Sequence, residues 1–166
     1  MPIKPLNLIY KSIEMIKKTA LAASVFFIIT TLSSFTFIFC KRQGIKGQVF
    51  LVKGNQMPSP DIKPAAPTPL QTTVYVYELT NISQVQQVPQ SSFYSAINSR
   101  LVKQVMPDKK GYFKISLDPG TYSLFIKKDN LFYANLFDDK NNIAPITVEK
   151  KKFTEINIKA DYDAVY

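Results

Sequence analysis

The chain has 166 residues, with one cysteine, no histidine and no tryptophan, and its formal charge is +9 from 21 basic and 12 acidic residues. This composition excludes an intramolecular disulfide, histidine-based catalysis and a histidine–cysteine metal site, and it predicts no cofactor. The basic residues are scattered apart from the run Lys150–Lys152. They therefore indicate a solvated surface with a mild preference for anionic partners, and no nucleic-acid partner.

The first 40 residues are typical of an export segment. Lys17 and Lys18 precede an apolar run over 20–29, and the single cysteine, Cys40, stands at the border with polar sequence. A basic region followed by an apolar region predicts a secretory signal. The position of Cys40 resembles that of the lipidated cysteine in bacterial lipoprotein signals, which becomes the first residue after cleavage. We therefore predict lipidation at Cys40.

Other interpretations of this segment stay open. Residues 19–40 would span about 33 Å as a helix at ~1.5 Å per residue, which is long enough for an uncleaved membrane anchor. Cys40 could also be an ordinary residue of a cleaved signal, and translation could start at Met1 or at Met15. A lipid or a helix would attach the protein to a membrane. We expect it in the periplasm, outer membrane or cell surface of a Gram-negative bacterium.

Residues 41–166 are predicted to form one domain, which opens with a strand over 44–52. Ile45, Val49 and Leu51 share one face of this strand. A proline-rich insertion follows at 54–71, and it contains Pro58, Pro60, Pro64, Pro67 and Pro69. Because proline cannot donate a ladder hydrogen bond, we predict a stiff surface loop outside the sheet. The alternative is a partner-binding segment, with Pro58, Pro60 and Pro64 as candidate contacts.

A second strand is predicted over 72–78, with Val74 and Val76 facing inward. Tyr75 and Tyr77 then point to the opposite face. They either pack beneath a loop or onto a second sheet, or they form an exposed aromatic patch that binds a sugar or a protein. Further along, the sequence predicts a helical turn over 93–98 and a strand over 101–105.

The stretch 108–128 organises the predicted fold. Two apolar triplets alternate with other residues, and they are Phe113, Ile115 and Leu117, then Tyr122, Leu124 and Ile126. Asp118-Pro119-Gly120 lies between them and predicts a turn, since proline presets its backbone angle and glycine accepts conformations that other residues resist. We therefore predict a β-hairpin whose two apolar faces share one core, with Ser123 and Phe125 on the other side.

This stretch also carries a family resemblance. The pattern Asp-x-x-Gly-x-Phe-x-x-x-Leu-x-Pro-Gly-x-Tyr-x-Leu-x-Ile begins at Asp108, and Gly-x-x-Gly-x-Val begins at Gly44. Both resemble carboxypeptidase regulatory-like domains, which are small transthyretin-like (prealbumin-like) β-sandwiches. The resemblance implies a mostly non-catalytic module, found attached to many kinds of protein.

The last third of the chain contains an aromatic stretch over 131–137, strand patterns over 143–148 and 153–159, and a tail whose tyrosines are predicted to dock against the sheet. Asp138 and Asp139 head a polar stretch that predicts a turn. They are also weak candidates for a calcium site, although the spacing of a known calcium loop is missing.

These elements predict an all-β protein, an antiparallel Ig-like or prealbumin-like sandwich of about seven strands behind an N-terminal apolar signal or anchor helix. The predicted function is that of a non-catalytic envelope module for binding or spacing, with an envelope protein or a glycan as partner. A self-crosslinked adhesin or pilin-type module is an alternative, because related collagen-adhesin domains join a first-strand lysine to a last-strand asparagine, here Lys46 and Asn157. An accessory domain of an envelope enzyme is a further alternative.

Overall fold

The computed structural model describes residues 14–17, 43–57 and 64–166. The chain divides into two compact units, Met1–Cys40 and Lys41–Tyr166. In the first unit residues 14–17 are helical. Within the described ranges, no helix combines the length and apolar character needed to cross a bilayer. The predictions for Cys40, Pro58 and Pro60 fall outside the described residues.

The described part of the second unit consists of strands, with a single 3₁₀ turn at Ile82–Gln84. The strands are β1 (Gly44–Asn55), β2 (Thr68–Pro69), β3 (Val74–Glu78), β4 (Val85–Gln87), β5 (Phe93–Ile97), β6 (Leu101–Val105), β7 (Tyr112–Ser116), β8 (Gly120–Lys128), β9 (Leu131–Tyr133), β10 (Pro145–Val148) and β11 (Phe153–Val165). The all-β prediction is confirmed. Several of these strands are too short to show a period of two in the sequence, which is why about seven were predicted.

The strands form two sheets. In the four-stranded sheet, β1 pairs with β11 on one side and with β7 and β2 on the other. In the seven-stranded sheet the order is β4-β5-β9-β8-β3-β6, and β10 pairs with β8 beside β9. All described pairings are antiparallel except that of β1 with β11, which is parallel. The four-stranded sheet is therefore a mixed sheet, with its parallel pair at the β11 edge. Gly47 permits this close pairing, since a Cβ there would lie 1.6 Å from the Ile156 carbonyl oxygen.

The main core lies between the two sheets. Its fully buried side chains from β1, β3 and β8 include Ile45, Val49, Val74, Val76 and Ile126, each 0% exposed. From β7 and the residue after it come Phe113, Ile115 and Leu117. The predicted inward faces of these strands are thus confirmed, while Tyr122 and Leu51 are only half-buried at the rim. Alternation with a period of two was sufficient to identify the core, because one face of each strand meets the opposite sheet.

The predicted β-hairpin over 108–128 is wrong. β7 pairs with β1 in the four-stranded sheet, whereas β8 pairs with β3, β9 and β10 in the seven-stranded sheet. The turn Asp118-Pro119-Gly120 therefore carries the chain from one sheet to the other. The prediction that the two apolar faces share a core is correct, because they face each other across the sandwich.

A second core covers the outer face of the seven-stranded sheet. Ser123 and Phe125, predicted to lie opposite the main core, are 0% and 1% exposed. Phe125 belongs to an apolar cluster with Tyr77, Tyr94, Ala134 and Ile143. The segments 79–98 and 134–144 supply most of the side chains that close this face. The outer face of the seven-stranded sheet is thus also buried there, which agrees with the interpretation of Tyr75 and Tyr77 as packed residues.

Three further predictions need correction. Residues 93–97 form β5 rather than a helical turn, and the tail from Asp161 continues β11 to Val165. The proline-rich insertion 54–71 is not wholly outside the sheet. β1 extends to Asn55, and Thr68 and Pro69 pair with β1 as a short edge strand, a position in which proline is tolerated. Leu70 then packs against the main core.

Candidate functional site

A groove among the described residues lies beside β5, the end of β9 and the C-terminal part of β11. It encloses about 410 Å³, and we call it the Asp161 groove. It is lined by Gln90, Ser91, Ser92, Phe93, Tyr133, Asn135, Asp161, Tyr162, Ala164 and Tyr166. This volume lies within the range of about 300–1,000 Å³ that is usual for small-molecule sites.

A β-bulge directs β11 side chains into this groove. Leu51 pairs with Ala160 and Lys53 with Asp163, so Asp161 and Tyr162 both stand opposite Val52. An extra residue bends a strand and increases its twist, which re-aims the side chains at that point. Tyr162 keeps the inward orientation of Ile156, Ile158 and Ala160 and packs against the main core. Asp161 is the residue that departs from the alternation, and its carboxylate reaches Tyr133 of β9. The bulge is what places a carboxylate in the groove.

Asp161 is held by three donors. The Tyr133 hydroxyl and the Asn135 side-chain amide donate to Oδ1, the amide at 2.7 Å, and the Tyr166 hydroxyl donates to Oδ2 at 2.9 Å. A carboxylate offers about four acceptor positions, so at least one stays available to a ligand. Burial, together with the hydrogen bond to Asp161, raises the pKa of Tyr133, and donation to Asp161 raises the pKa of Tyr166. Both phenols therefore stay protonated at neutral pH and keep the carboxylate oriented.

Aromatic rings form one wall of the groove. Phe93 and Tyr162 lie 5.6 Å apart between centroids, and each packs against Tyr133 at 5.1 Å. The Lys128 ammonium lies 3.9 Å from the centre of the Tyr162 ring and 3.1 Å from an Asp163 carboxylate oxygen. Tyr166 is 68% exposed and offers a free ring at the mouth of the groove. The wall thus combines apolar ring surface with fixed polar groups.

The groups that line this groove can hold a ligand by hydrogen bonds and ring contacts. The groove contains a carboxylate acceptor, an amide donor, the Ser92 hydroxyl at the rim and ring faces, but no nucleophile beside a base. In the part of the chain that the structure describes, no cluster of three or more metal-ligating side chains occurs.

The tyrosines that the sequence singled out lie elsewhere, on the outer face of the seven-stranded sheet. Tyr77 is 7% exposed and packs edge-on against Phe125 at 5.6 Å, while Tyr75 is half-buried and packs edge-on against Phe132 at 5.2 Å. Burial raises the pKa of Tyr77. Of the two interpretations, the structure shows packing for Tyr77, since its ring is a member of the second core.

Of the proline-rich candidates, only Pro64 lies within the described residues. It is exposed in the segment that leads to β2, and no contact of its side chain is described. The structure does not bring Pro64 near the Asp161 groove, whose lining residues come from β5, β9, β11 and their flanks.

Asp138 organises a turn. Its Oδ1 accepts hydrogen bonds from the Lys140 and Asn142 backbone N–H groups at 2.9 and 2.8 Å, and its Oδ2 accepts one from the Asn142 amide at 2.8 Å. The donors of Asn142 hold the pKa of Asp138 below its ordinary value. Asp108 makes the same two backbone contacts in its own turn. Asp138 is thus used as a turn carboxylate, and Asp139 lies exposed beside it.

The residues of the crosslinking alternative are not opposite each other. Lys46 pairs with Glu155, and Asn157 pairs with Gln48. The Lys46 ammonium forms an ion pair with Glu155 at 3.2 Å on the exposed face of the sheet. An isopeptide bond requires the lysine amine at the asparagine carbonyl in a shielded place, so this arrangement does not favour it.

Sequence reasoning missed Asp161, Asn135, Tyr133 and Tyr166 as site residues. The apolar alternation of Ile156, Ile158 and Ala160 continues at Tyr162 and Ala164, so the sequence carries no local signal of the bulge. Asn135 and Tyr133 carry no local signal, because they meet Asp161 through the packing of two sheets.

The chain matches no protein-family model, and no curated protein or solved structure is significantly similar to it. The function therefore has to be argued from the groove and the sequence.

Proposed function

We propose that this chain is a non-catalytic, membrane-anchored protein of the bacterial cell envelope that binds a neutral saccharide in the Asp161 groove. The exported, anchored location is supported by the apolar segment that ends at Cys40. The finer fold assignment, a prealbumin-like sandwich of the carboxypeptidase regulatory-like type, is supported by the motifs at Gly44 and Asp108. The observation that carries the binding function is the oriented Asp161 carboxylate between aromatic rings.

A saccharide fits this combination of groups. Sugar hydroxyls can donate to Asp161 and accept from the Asn135 amide, while the apolar C–H face of a pyranose ring can lie on the Tyr166 ring. An anionic ligand would be repelled by Asp161. A cationic ligand is disfavoured because the Lys128 ammonium already lies over the Tyr162 ring. The absence of histidine from the chain supports a binding role rather than acid–base catalysis.

The saccharide proposal is tested by titrating the purified protein calorimetrically with neutral gluco-, manno- and xylo-oligosaccharides, and with an oligogalacturonate as the anionic control. We expect at least one neutral oligosaccharide to bind and the anionic one not to bind. Asp161→Asn and Tyr166→Ala should each weaken binding about tenfold or more. Tyr112→Ala is the matched control, since it removes a tyrosine of β7 that is 54% exposed and does not line the groove.

Binding that is equally strong in Asp161→Asn would place the ligand outside the groove and contradict the proposal. Failure of all three neutral series would contradict the saccharide as ligand.

The anchor is tested separately by metabolic labelling with a fatty acid. The wild-type chain should become labelled and the Cys40→Ser variant should not. Equal labelling of the two would exclude lipidation at Cys40.

A further inference from the structure

The free edge of β11 is the longest unpaired sheet edge that the structure describes. β11 has 13 residues and pairs only with β1. Other edge strands are shorter, with two residues in β2, three in β4 and five in β6. Proteins normally shorten or cover their sheet edges because unpaired N–H and C=O groups can recruit another strand. The unpaired edge of β11 is therefore long enough to pair with a strand of another molecule.

The backbone of β11 directs defined groups outward. The Ile156 carbonyl oxygen faces Gly47 of β1, since a Cβ on Gly47 would lie 1.6 Å from it. Backbone groups alternate along a strand, so those of Glu155, Asn157 and Lys159 point away from β1. No described residue donates to or accepts from these backbone groups on that side. Toward the C-terminus, the bulge at Asp161 ends this regular edge.

We propose that β11 pairs with β11 of a second copy, antiparallel and about a two-fold axis at Asn157. In this register Glu155 stands opposite Lys159 of the partner, and Lys159 stands opposite Glu155 of the partner. The outward backbone groups of Glu155, Asn157 and Lys159 then form hydrogen-bonded pairs. The pairing joins two four-stranded sheets into one continuous sheet.

Charge complementarity selects this register. Moving the axis by two residues would oppose Glu155 to Glu155 or Lys159 to Lys159, and moving it by one residue toward the C-terminus would oppose Glu155 to Asp161. Like charges directly opposite each other destabilise a strand pair. The axis at Asn157 is the one that opposes both charged residues to opposite charges. Glu155 already contacts Lys46 at 3.2 Å, so its carboxylate would lie between two ammonium groups.

The inner side of the edge also favours a second copy. A small cavity of about 30 Å³ beside β11 is lined by Ile156, Ile158, Leu124, Leu136 and Ala144, among others. Leu136 is 59% exposed there. In the proposed register Ile156 pairs with Ile158 of the partner, so each copy brings apolar side chains to the mouth of this cavity. Burying them adds a hydrophobic contribution to the backbone pairing.

The register is tested by disulfide trapping in the full chain with Cys40→Ser, so that the introduced thiol is the sole one. Cα atoms of a hydrogen-bonded antiparallel pair lie about 5.5 Å apart, which a disulfide can span. Asn157→Cys should therefore form a covalent dimer on mild oxidation of the purified full chain in detergent. Glu155→Cys and Lys159→Cys are matched controls on the same face, and each should stay monomeric because its own copy lies about 13 Å away at ~3.3 Å per residue. Glu155→Cys mixed with Lys159→Cys should give the heterodimer.

The interaction itself is tested by light scattering of the full chain in a mild detergent. Lys159→Glu should weaken dimerisation about tenfold, and the double variant Glu155→Lys with Lys159→Glu should restore it. Lys150→Glu is the control, since Lys150 is exposed in a turn outside the edge. A wild-type chain that stays monomeric, an Asn157→Cys chain that does not crosslink, or equal crosslinking of Glu155→Cys would each overturn the proposal.

Discussion

The outer faces of the two sheets differ in their exposure to solvent, although the strands of both sheets alternate in the same way. On the four-stranded sheet the outer face is open, with Lys46, Glu155 and Asn157 exposed and Tyr112 54% exposed. On the seven-stranded sheet the corresponding face is closed, with Phe125 at 1% and Ser123 at 0%. The difference arises because the segments 79–98 and 134–144 supply the side chains that close the second face. Alternation thus predicts where one core lies but not whether the opposite face is covered.

The largest test of this comparison is Phe125→Ala. Phe125 contacts Tyr77, Tyr94 and Phe132 edge-on, so its removal should leave a cavity and cost about 3–5 kcal/mol of unfolding free energy. Phe113→Ala, in the main core, should cost a similar amount. Denaturant unfolding of both variants measures this. A cost below about 1 kcal/mol for Phe125→Ala alone would show that the second core contributes little to stability.

A smaller effect is expected for Ser123→Ala. The buried Ser123 hydroxyl accepts a hydrogen bond from the Thr80 backbone N–H at 2.9 Å, and this bond joins β8 to the covering segment. Without it the buried N–H has no partner, which costs about 1–3 kcal/mol. Thr121→Ala, at an exposed position of the same strand, is the control. Equal, negligible changes in unfolding free energy would mean that Thr80 finds another acceptor.

The buried tyrosines should also make the free energy of unfolding fall at alkaline pH. Burial raises the pKa of Tyr77, Tyr94 and Tyr133 above the ordinary value of 10.0. A raised pKa in the folded state contributes stability that is complete below the unfolded pKa and is lost as pH rises through the folded pKa. Urea unfolding at pH 9 and pH 11 should therefore show a loss above about pH 10. Tyr94→Phe should reduce that loss, and an unchanged pH dependence in this variant would contradict the argument.

The smallest effect belongs to the open face. Tyr112→Ala removes a side chain that is 54% exposed and belongs to neither core, so we expect a change within about 0.5 kcal/mol. Thermal unfolding of the Tyr112→Ala and Phe125→Ala variants, measured together, would compare the two losses of stability directly. A cost above about 1.5 kcal/mol would indicate that another part of the protein covers this face.

Local sequence by itself determined the inward faces of the longer strands and some of the turns. The spacing of Phe113, Ile115 and Leu117 predicted a face that is buried, because a period of two needs no knowledge of the partner strand. The turn at Asp108 is equally local. Its carboxylate caps backbone N–H groups within four residues, and Gly111 adopts a φ of 79° that suits glycine. These features depend on contacts that are close in sequence.

Tertiary structure alone decided which strands pair and where the candidate site lies. The two strands of 108–128 could have paired with each other, but β7 lies beside β1 and β8 beside β3. The second core and the Asp161 groove arise in the same way. Asp161 meets Asn135 and Tyr133, which are 26 and 28 residues away, only because the bulge in β11 faces the end of β9 in the other sheet. Such contacts leave no periodic signal, because nothing in the local backbone geometry requires them.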